Sequence, residues 1–315
     1  MNEPDNAIDM VYLWVDGADP EWRKKRDALI GTVSSSRSEN CEGRYADNDE
    51  LKFSLRSLDL YAPWIRRIFI VTDHQVPSWL DVSNPRIRIV DHSEILPPEM
   101  LPTFNSVSIE HALIRIPGLG ERFLYANDDM LFNRPASPSD FFTPEGFPII
   151  RMHRRPFRRL SLWFKKYVQR KKLSNYNLKI HNAAMLIKRE YGVYPGAKTH
   201  HNIDAYLRSQ NERTFEKFRE DILPTMAHRM RNDTDIQRNI YSYVPMVEGK
   251  ARVDFVDRKT SFHLHIDNPS HFEKLERHNP LLFCINDSEY ATAADRLRAR
   301  SYLEKRFPEK SQFEK

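Results

Sequence analysis

Cysteine is nearly absent from this 315-residue chain: there are two, Cys41 and Cys284, far apart and without metal-ligand spacing. Neither a disulfide framework nor a zinc site is indicated, and a reducing compartment fits best. Glycine is scarce as well, nine in all, and no Gly-x-x-x-x-Gly-Lys-Ser/Thr loop occurs. Phosphate would therefore have to be held by a metal, by arginine or lysine, or by helix N-termini. The pair Gly118-Leu-Gly120 lacks a third glycine and precedes a strand instead of following one, which rules out a dinucleotide fingerprint. No apolar run approaches the roughly 20 residues needed to span a bilayer, and the acidic stretch Met1 to Asp9 has no apolar core of a signal peptide. A soluble chain, not secreted by a signal peptide, is expected.

With 40% hydrophobic residues, the chain can bury one large core or two modest ones. Lys and Arg exceed Asp and Glu by 49 to 44, which points to an anionic partner: nucleotide, polyanion or membrane surface. Apolar runs end repeatedly in acidic residues. Ile8 to Val15 ends in Asp16, Arg67 to Thr72 in Asp73, Ile87 to Val90 in Asp91, and Arg122 to Ala126 in Asn127-Asp128-Asp129. Between them, Leu51, Leu55 and Leu58, and then Ile109, Leu113 and Ile116, recur at helical spacing, with Asp47 to Glu50 as capping candidates for the first helix. Strand, helix, strand, strand, helix, strand implies an α/β fold, a largely parallel sheet flanked by helices. Ligands bind beyond the carboxyl ends of such strands, and adjacent carboxylates suit a hard cation that also carries phosphate oxygens. Each acid alone reads more readily as a turn or cap residue than as a ligand. Four strand ends with the same chemistry favour an electropositive ligand on one rim.

The segment 151–172 holds ten Lys or Arg, no acidic residue, and interleaved Phe157, Leu160, Leu162, Trp163, Phe164 and Tyr167. A solvated basic helix, a flap over an anionic substrate and an interfacial segment on anionic lipid compete; the aromatic content favours polyanion or membrane contact. No nucleic-acid module accompanies it, so nucleic acid is not an expected partner. Thr32 to Gly43 reads as a surface loop. Further on, His200-His201 and His228 to Asn232 form polar clusters; adjacent histidines do not easily face one ion from a regular element, so a general base or substrate contact is the better functional reading, against a surface loop of equal weight. A C-terminal helix is expected over Ala291 to Phe307, with Leu297 and Leu303 on its apolar face.

Four blocks resemble the Stealth proteins, sugar-phosphate transferases that include bacterial capsular polysaccharide polymerases and the animal transferase that builds the lysosomal mannose-phosphate tag. They are Ile8 to Pro20; Arg44 to Ser57 with Tyr61 to Ile65, Ile70 to Gln75, Val90 to Glu94, Leu101 to Ser106 and Asn127 to Asp129; His200 to Asp235, with Arg229-Met-Arg231 where the family has Arg-aromatic-Arg; and Phe283 to Asp287. The resemblance implies a single catalytic domain over residues 1–315 with a GT-A-like nucleotide-sugar transferase core and 151–172 as an insertion or flap. It implies transfer of a hexose-1-phosphate, such as GlcNAc-1-phosphate, from a UDP-sugar to a glycan or glycolipid hydroxyl, with Mg²⁺ or Mn²⁺ and release of UMP. The runner-up is a glycosyltransferase that moves only the sugar and releases UDP. Carried over by position, Asp128, Asp129, His200 or His201 and Arg231 are catalytic, with Asp128 and Asp129 on the metal. Asp16, Arg44, Asp73, Asn105, Asn182 and Asn286 are substrate-binding. The family's usual His-any-Pro is His200-His201-Asn202 here, so both histidines carry the role forward. A place at the cytoplasmic face of the cell membrane is expected.

Overall fold

The computed structural model describes residues 6–30, 48–171, 173–288 and 290–315. Arg44, Cys41, Asp47 and the Thr32 to Gly43 loop lie outside them. The chain opens with strand β1 (Ile8–Leu13), helices α1 (Pro20–Ile30) and α2 (Glu50–Tyr61), strands β2 (Ile68–Thr72) and β3 (Ile87–Asp91), and short helices α3 (His92–Ile95) and α4 (Ser106–Ala112). Strands β4 (Arg122–Asn127), β5 (Met130–Phe132) and β6 (Ile149–Arg154) follow, then α5 (Arg158–Trp163), α6 (Asn175–Tyr191), β7 (Ala197–Thr199) and β8 (Asp204–Leu207). The last part comprises α7 (Arg208–Lys217), α8 (Arg219–Ala227), α9 (Ile240–Val247), β9 (Arg252–Phe255), β10 (Ser261–His265), α10 (Ser270–His278), β11 (Leu282–Asn286) and α11 (Ala293–Arg306).

The central sheet has the order β3-β2-β1-β4-β8; its first four strands are parallel and β8 runs antiparallel to β4. Residue alternation sorts side chains to its two faces, as a period of two requires. Met10, Tyr12, Ile68, Ile70, Leu124 and Ala126 pack with Leu51, Leu55 and Leu58 of α2. Val11, Phe69, Val71, Phe123 and Tyr125 pack into the larger core with α4, α6, α8 and α9. A buried carboxylate sits at the start of β1: Asp9 accepts from Arg66 Nε at 2.8 Å and Nη2 at 2.7 Å, and from the Gly120 amide at 2.8 Å. A Cβ at Gly120 would lie 2.6 Å from Arg66 Nη2, so this glycine serves a close packing contact and not a nucleotide.

Two three-stranded sheets extend the centre, β10-β11-β5 and β7-β6-β9. The first meets the central sheet where β4 passes into β5, and only Asp128 and Asp129 separate the two strands. Cys284 of β11 pairs with Met130, and the Ile285 amide donates to the Asp129 carbonyl at 2.9 Å. The acidic pair is thus clamped at the joint of two sheets. On α11, Leu303 is buried as expected, but Leu297 is 67% exposed, because the helix meets the core along Ala299, Tyr302 and Leu303. Asp49 precedes α2 in a left-handed conformation and pairs with Lys52 and Arg300 instead of capping through its side chain.

Candidate active site

A cleft of about 760 Å³ opens at the carboxyl end of β4. Asp128 and Asp129 reach it from the β4–β5 turn, Glu110 from α4, Lys179 from α6, His201 from the β7–β8 loop, Arg231 from the loop after α8, and Asn286 from the end of β11. The strand-end acids divide into two places. Asp73, His74 and Asp91 cluster beyond β2 and β3, where Lys25 Nζ lies 3.2 Å from Asp73 and Asp91 also caps α3. Asp16 is tied into its own turn, accepting from the Ala18 amide at 2.7 Å while Gln75 brackets its backbone. Neither Asp16 nor Asp73 lines the cleft. The single rim read from the sequence is therefore split, because β2 and β3 lie on the far side of β1 from β4.

At the turn, one oxygen of Asp129, Oδ1, is sealed from solvent and has no hydrogen-bond partner among the described residues, while Oδ2 accepts from Cys284 Sγ at 3.2 Å. Burial pushes the Asp129 carboxyl up to about 6 and raises the Cys284 thiol well above its ordinary value. An orphaned, desolvated carboxylate oxygen is a site prepared for a positive charge. Ligand atoms of Asp129, His201 and Cys284 all lie within 4.8 Å of one another, so the residues present fit a divalent cation. Asn286 donates to Cys284 Sγ at 3.2 Å.

The two adjacent histidines separate. His200 is buried away from the cleft, with Nε2 3.2 Å from Asp204 Oδ1 and Nδ1 3.1 Å from Ser261 Oγ. His201 lines the cleft, and its carbonyl accepts from His263 Nε2 at 2.8 Å. Desolvation, reinforced by the neighbouring His263, pushes the His201 imidazole down to about 3. It is neutral and a weak proton acceptor.

Three residues that the sequence reading did not single out complete the site. Glu110 is buried, and burial raises its carboxyl above the ordinary range. Its Oε2 has no partner among the described residues, while its Oε1 lies 3.1 Å from the Tyr125 hydroxyl, which is also 2.8 Å from Asn127 Oδ1. Arg238 lies beneath, fully enclosed: it pairs with Asp204, donates to the Tyr206 hydroxyl at 2.7 Å, stands 3.7 Å from Glu110 Oε1 and stacks over the Tyr125 ring. Lys179, also buried, adds a second cation to the cleft wall beside Arg231.

Asn105 and Asn182 do not line the cleft; they shape the loop that carries Arg231. Asp235 is the hub of that loop, accepting from Asn105 Nδ2 at 3.0 Å and from the Asn232 amide at 2.9 Å, with His228 Nδ1 at 2.8 Å. Asn182 Nδ2 donates to the carbonyls of Asp233 and Asp235 at 2.9 and 3.0 Å. Arg231 itself donates to Ser106 Oγ at 3.2 Å and keeps its guanidinium at the cleft.

The basic segment leads out of β6. Arg151 and Arg158 turn inward, but Phe157, Leu160, Trp163, Phe164, Tyr167 and Val168 are exposed, Phe157 by 74%. Among the described residues, no helix is long and apolar enough to cross a membrane.

Residues 44–150 match the family profile described as Stealth protein CR2, conserved region 2, and residues 6–33 match Stealth protein CR1, conserved region 1. An exopolysaccharide phosphotransferase of Lactiplantibacillus plantarum is 30% identical over 331 residues, covering 98% of this chain and 96% of that protein. Exopolysaccharide phosphotransferases of Streptomyces coelicolor (36% identical, 89% of this chain) and Mycobacterium tuberculosis (35%, 98%) are longer, and the chain spans 47% and 58% of their lengths. Among solved structures, the galactosyltransferase LgtC in complex with donor and acceptor sugar analogs is similar at a TM-score of 0.46, with 12% identity over 95% of each chain. With both conserved regions matched and a relative aligned from end to end, the chain belongs to the Stealth protein family.

Proposed function

We propose that this protein transfers a hexose-1-phosphate from a nucleotide-sugar to a hydroxyl of a glycan or glycolipid acceptor, in the assembly of a capsular or exopolysaccharide. The observation that carries the reading is the meeting, in one cleft, of two buried carboxylate oxygens without a partner among the described residues, on Asp129 and Glu110, with the cations of Arg231 and Lys179. The printed names of the relatives, exopolysaccharide phosphotransferases, support the same chemistry.

In this reading the acceptor oxygen attacks the phosphorus next to the sugar. A new oxygen–phosphorus bond forms, the bond from that phosphorus to the bridging oxygen breaks, and a nucleoside monophosphate leaves with the bridging oxygen. Arg231 offers a planar fork of donors to the reacting phosphate, and Lys179 a point charge, where negative charge accumulates. Glu110 takes the acceptor proton on Oε2: a carboxyl raised by burial is a better base at neutral pH than an imidazole held near 3. Asp129, with His201 and Cys284, holds a divalent cation, Mg²⁺ or Mn²⁺ by the sequence reading, and Asp128 borders it from the same turn. When bound, the cation offsets charge on the phosphates and leaving group. Tyr125 fixes the orientation of Glu110, and Asn105 and Asn182 act through the loop they hold.

The exposed aromatic and basic face of residues 157–171 supports a further part of this reading, in which the protein works against an anionic surface, a membrane carrying a lipid-linked acceptor. The test of the whole reading is incubation with a panel of UDP-sugars and lipid or oligosaccharide acceptors. Acceptor-dependent release of UMP supports it; UDP release with a plain glycosidic linkage moves the protein to the class that transfers sugar alone.

A further inference from the structure

Magnesium is the cation that the acidic pair suggests in sequence, but the donors gathered at the β4–β5 turn are not those that magnesium selects. Mg²⁺ takes oxygen ligands in near-octahedral order and gives up its waters reluctantly. Here one carboxylate, one imidazole and one thiol present their ligand atoms within 4.8 Å of one another. Three protein ligands that include nitrogen and sulfur, with a side open to a cleft, are the pattern of catalytic zinc-type sites.

We infer that Asp129, His201 and Cys284 form a mixed oxygen, nitrogen and sulfur site for one borderline transition-metal ion of the zinc and cobalt type, in preference to magnesium. This rests on the reading that the β4–β5 turn holds the reaction's cation. Backbone pairing places the ligands: Cys284 is opposite Met130 in the β5–β11 ladder, which brings Sγ to 3.2 Å from Asp129 Oδ2. His201 arrives from the β7–β8 loop, fixed through its carbonyl by His263. A buried cysteine usually serves as a small apolar filler. This one has a carboxylate and an amide against its sulfur, and the Asn286 amide donates to Sγ at 3.2 Å, a contact that suits a thiolate and orients it. Asp129 Oδ1 is buried at the same point, with no partner among the described residues. The preference expected is Zn²⁺ over Co²⁺ over Mn²⁺, with Mg²⁺ last.

The probe is Co²⁺, added to the full chain after chelator treatment and followed by visible and near-ultraviolet absorption. One Co²⁺ per chain is expected, with a thiolate-to-cobalt charge-transfer band that persists in Cys41→Ser, disappears in Cys284→Ser, and is abolished by equimolar Zn²⁺ but not by about a hundredfold excess of Mg²⁺. Should Cys284→Ser fail to fold, the wild-type band and the competition still decide, and His201→Gln should shift the visible bands and weaken binding about tenfold or more. Co²⁺ binding that needs Asp129 but shows no thiolate band, or that yields to Mg²⁺ at comparable concentration, overturns the inference and leaves a cation at the turn intact. No Co²⁺ binding, or binding that Asp129→Asn does not change, overturns both.

Discussion

Replacing Arg238 by Met probes the charge network under the cleft. The guanidinium is fully enclosed and serves Asp204, Glu110 and the Tyr206 hydroxyl at once. Its removal leaves the carboxylates of Asp204 and Glu110 without the cation they share. Breaking a single buried pair from one side costs about 3–5 kcal/mol, and the Glu110 contact at 3.7 Å corresponds to about 4 kcal/mol of Coulomb energy at an effective dielectric of 20. A loss of about 4 kcal/mol is expected, a large share of the 5–15 kcal/mol typical of a domain. The sign of the pH dependence follows. In the wild type, Arg238 is the largest influence opposing burial at Asp204, whose carboxyl is held low. Without it, the carboxyls of Asp204 and Glu110 rise, the folded state binds protons that the unfolded state releases, and the mutant's deficit shrinks as pH falls. Urea unfolding of wild type and Arg238→Met at about pH 8 and about pH 5.5 measures this. A deficit under about 1 kcal/mol that is the same at both pH values refutes the network.

Other outcomes follow from the same geometry. Glu110→Gln keeps volume and removes the proton acceptor, so kcat should fall by about 10²–10⁴ with donor binding little changed; a fall of less than tenfold returns the base role to His201. Asp129→Asn should abolish turnover while thermal melting stays within a few degrees of wild type, since among the described residues no cation pairs with the charge it removes. His92 and His111 are buried and held neutral, each pushed down to about 4 by desolvation, His111 between the Tyr241 hydroxyl and the Ile236 carbonyl. Their folded values lie below the ordinary value near 6.5, so the stability they contribute is present above about pH 6.5 and is lost as pH falls toward 4, by up to about 1.4 kcal/mol per unit and group; a urea midpoint that stays flat over that range contradicts it. Arg159, Lys165, Arg170 and Lys171 changed together to Ser should weaken binding to anionic vesicles and remove its salt dependence, while transfer to a small soluble acceptor continues.

Four of the five strands of the central sheet were legible because alternation and strand ends are local signals; β8, the antiparallel one, was not read. Ile8 to Val15, Arg67 to Thr72, Ile87 to Val90 and Arg122 to Ala126 each hold a strand, and the period-two sorting of Met10 and Val11 to opposite faces needs no tertiary knowledge. Asp128, Asp129, His201, Arg231 and Asn286 were named in sequence and do meet in one cleft. Asp16 and Asp73 carry the same local signature and lie elsewhere: Asp73 because β1 stands between β2 and β4, and Asp16, whose strand neighbours β4, because Ala18 and Gln75 hold it in its own turn. Asn105 and Asn182 were read as ligand contacts; only the long-range bonds to the Asp235 loop reveal them as its supports. Glu110 passed unnoticed as one carboxylate in an amphipathic helix. Its meaning comes from Tyr125 and Arg238, 15 and 128 residues away in sequence. Cys284 gave no spacing signal because its partners, Asp129 and His201, belong to other elements.

The fate of the phosphorus next to the sugar tests the central claim most directly. A nucleotide-sugar donor labelled at that phosphorus, incubated with the protein and an acceptor, should deliver the label to the glycan as a phosphodiester, with unlabelled nucleoside monophosphate released in equal amount. Label recovered in a nucleoside diphosphate, with unlabelled sugar on the acceptor, would contradict the account.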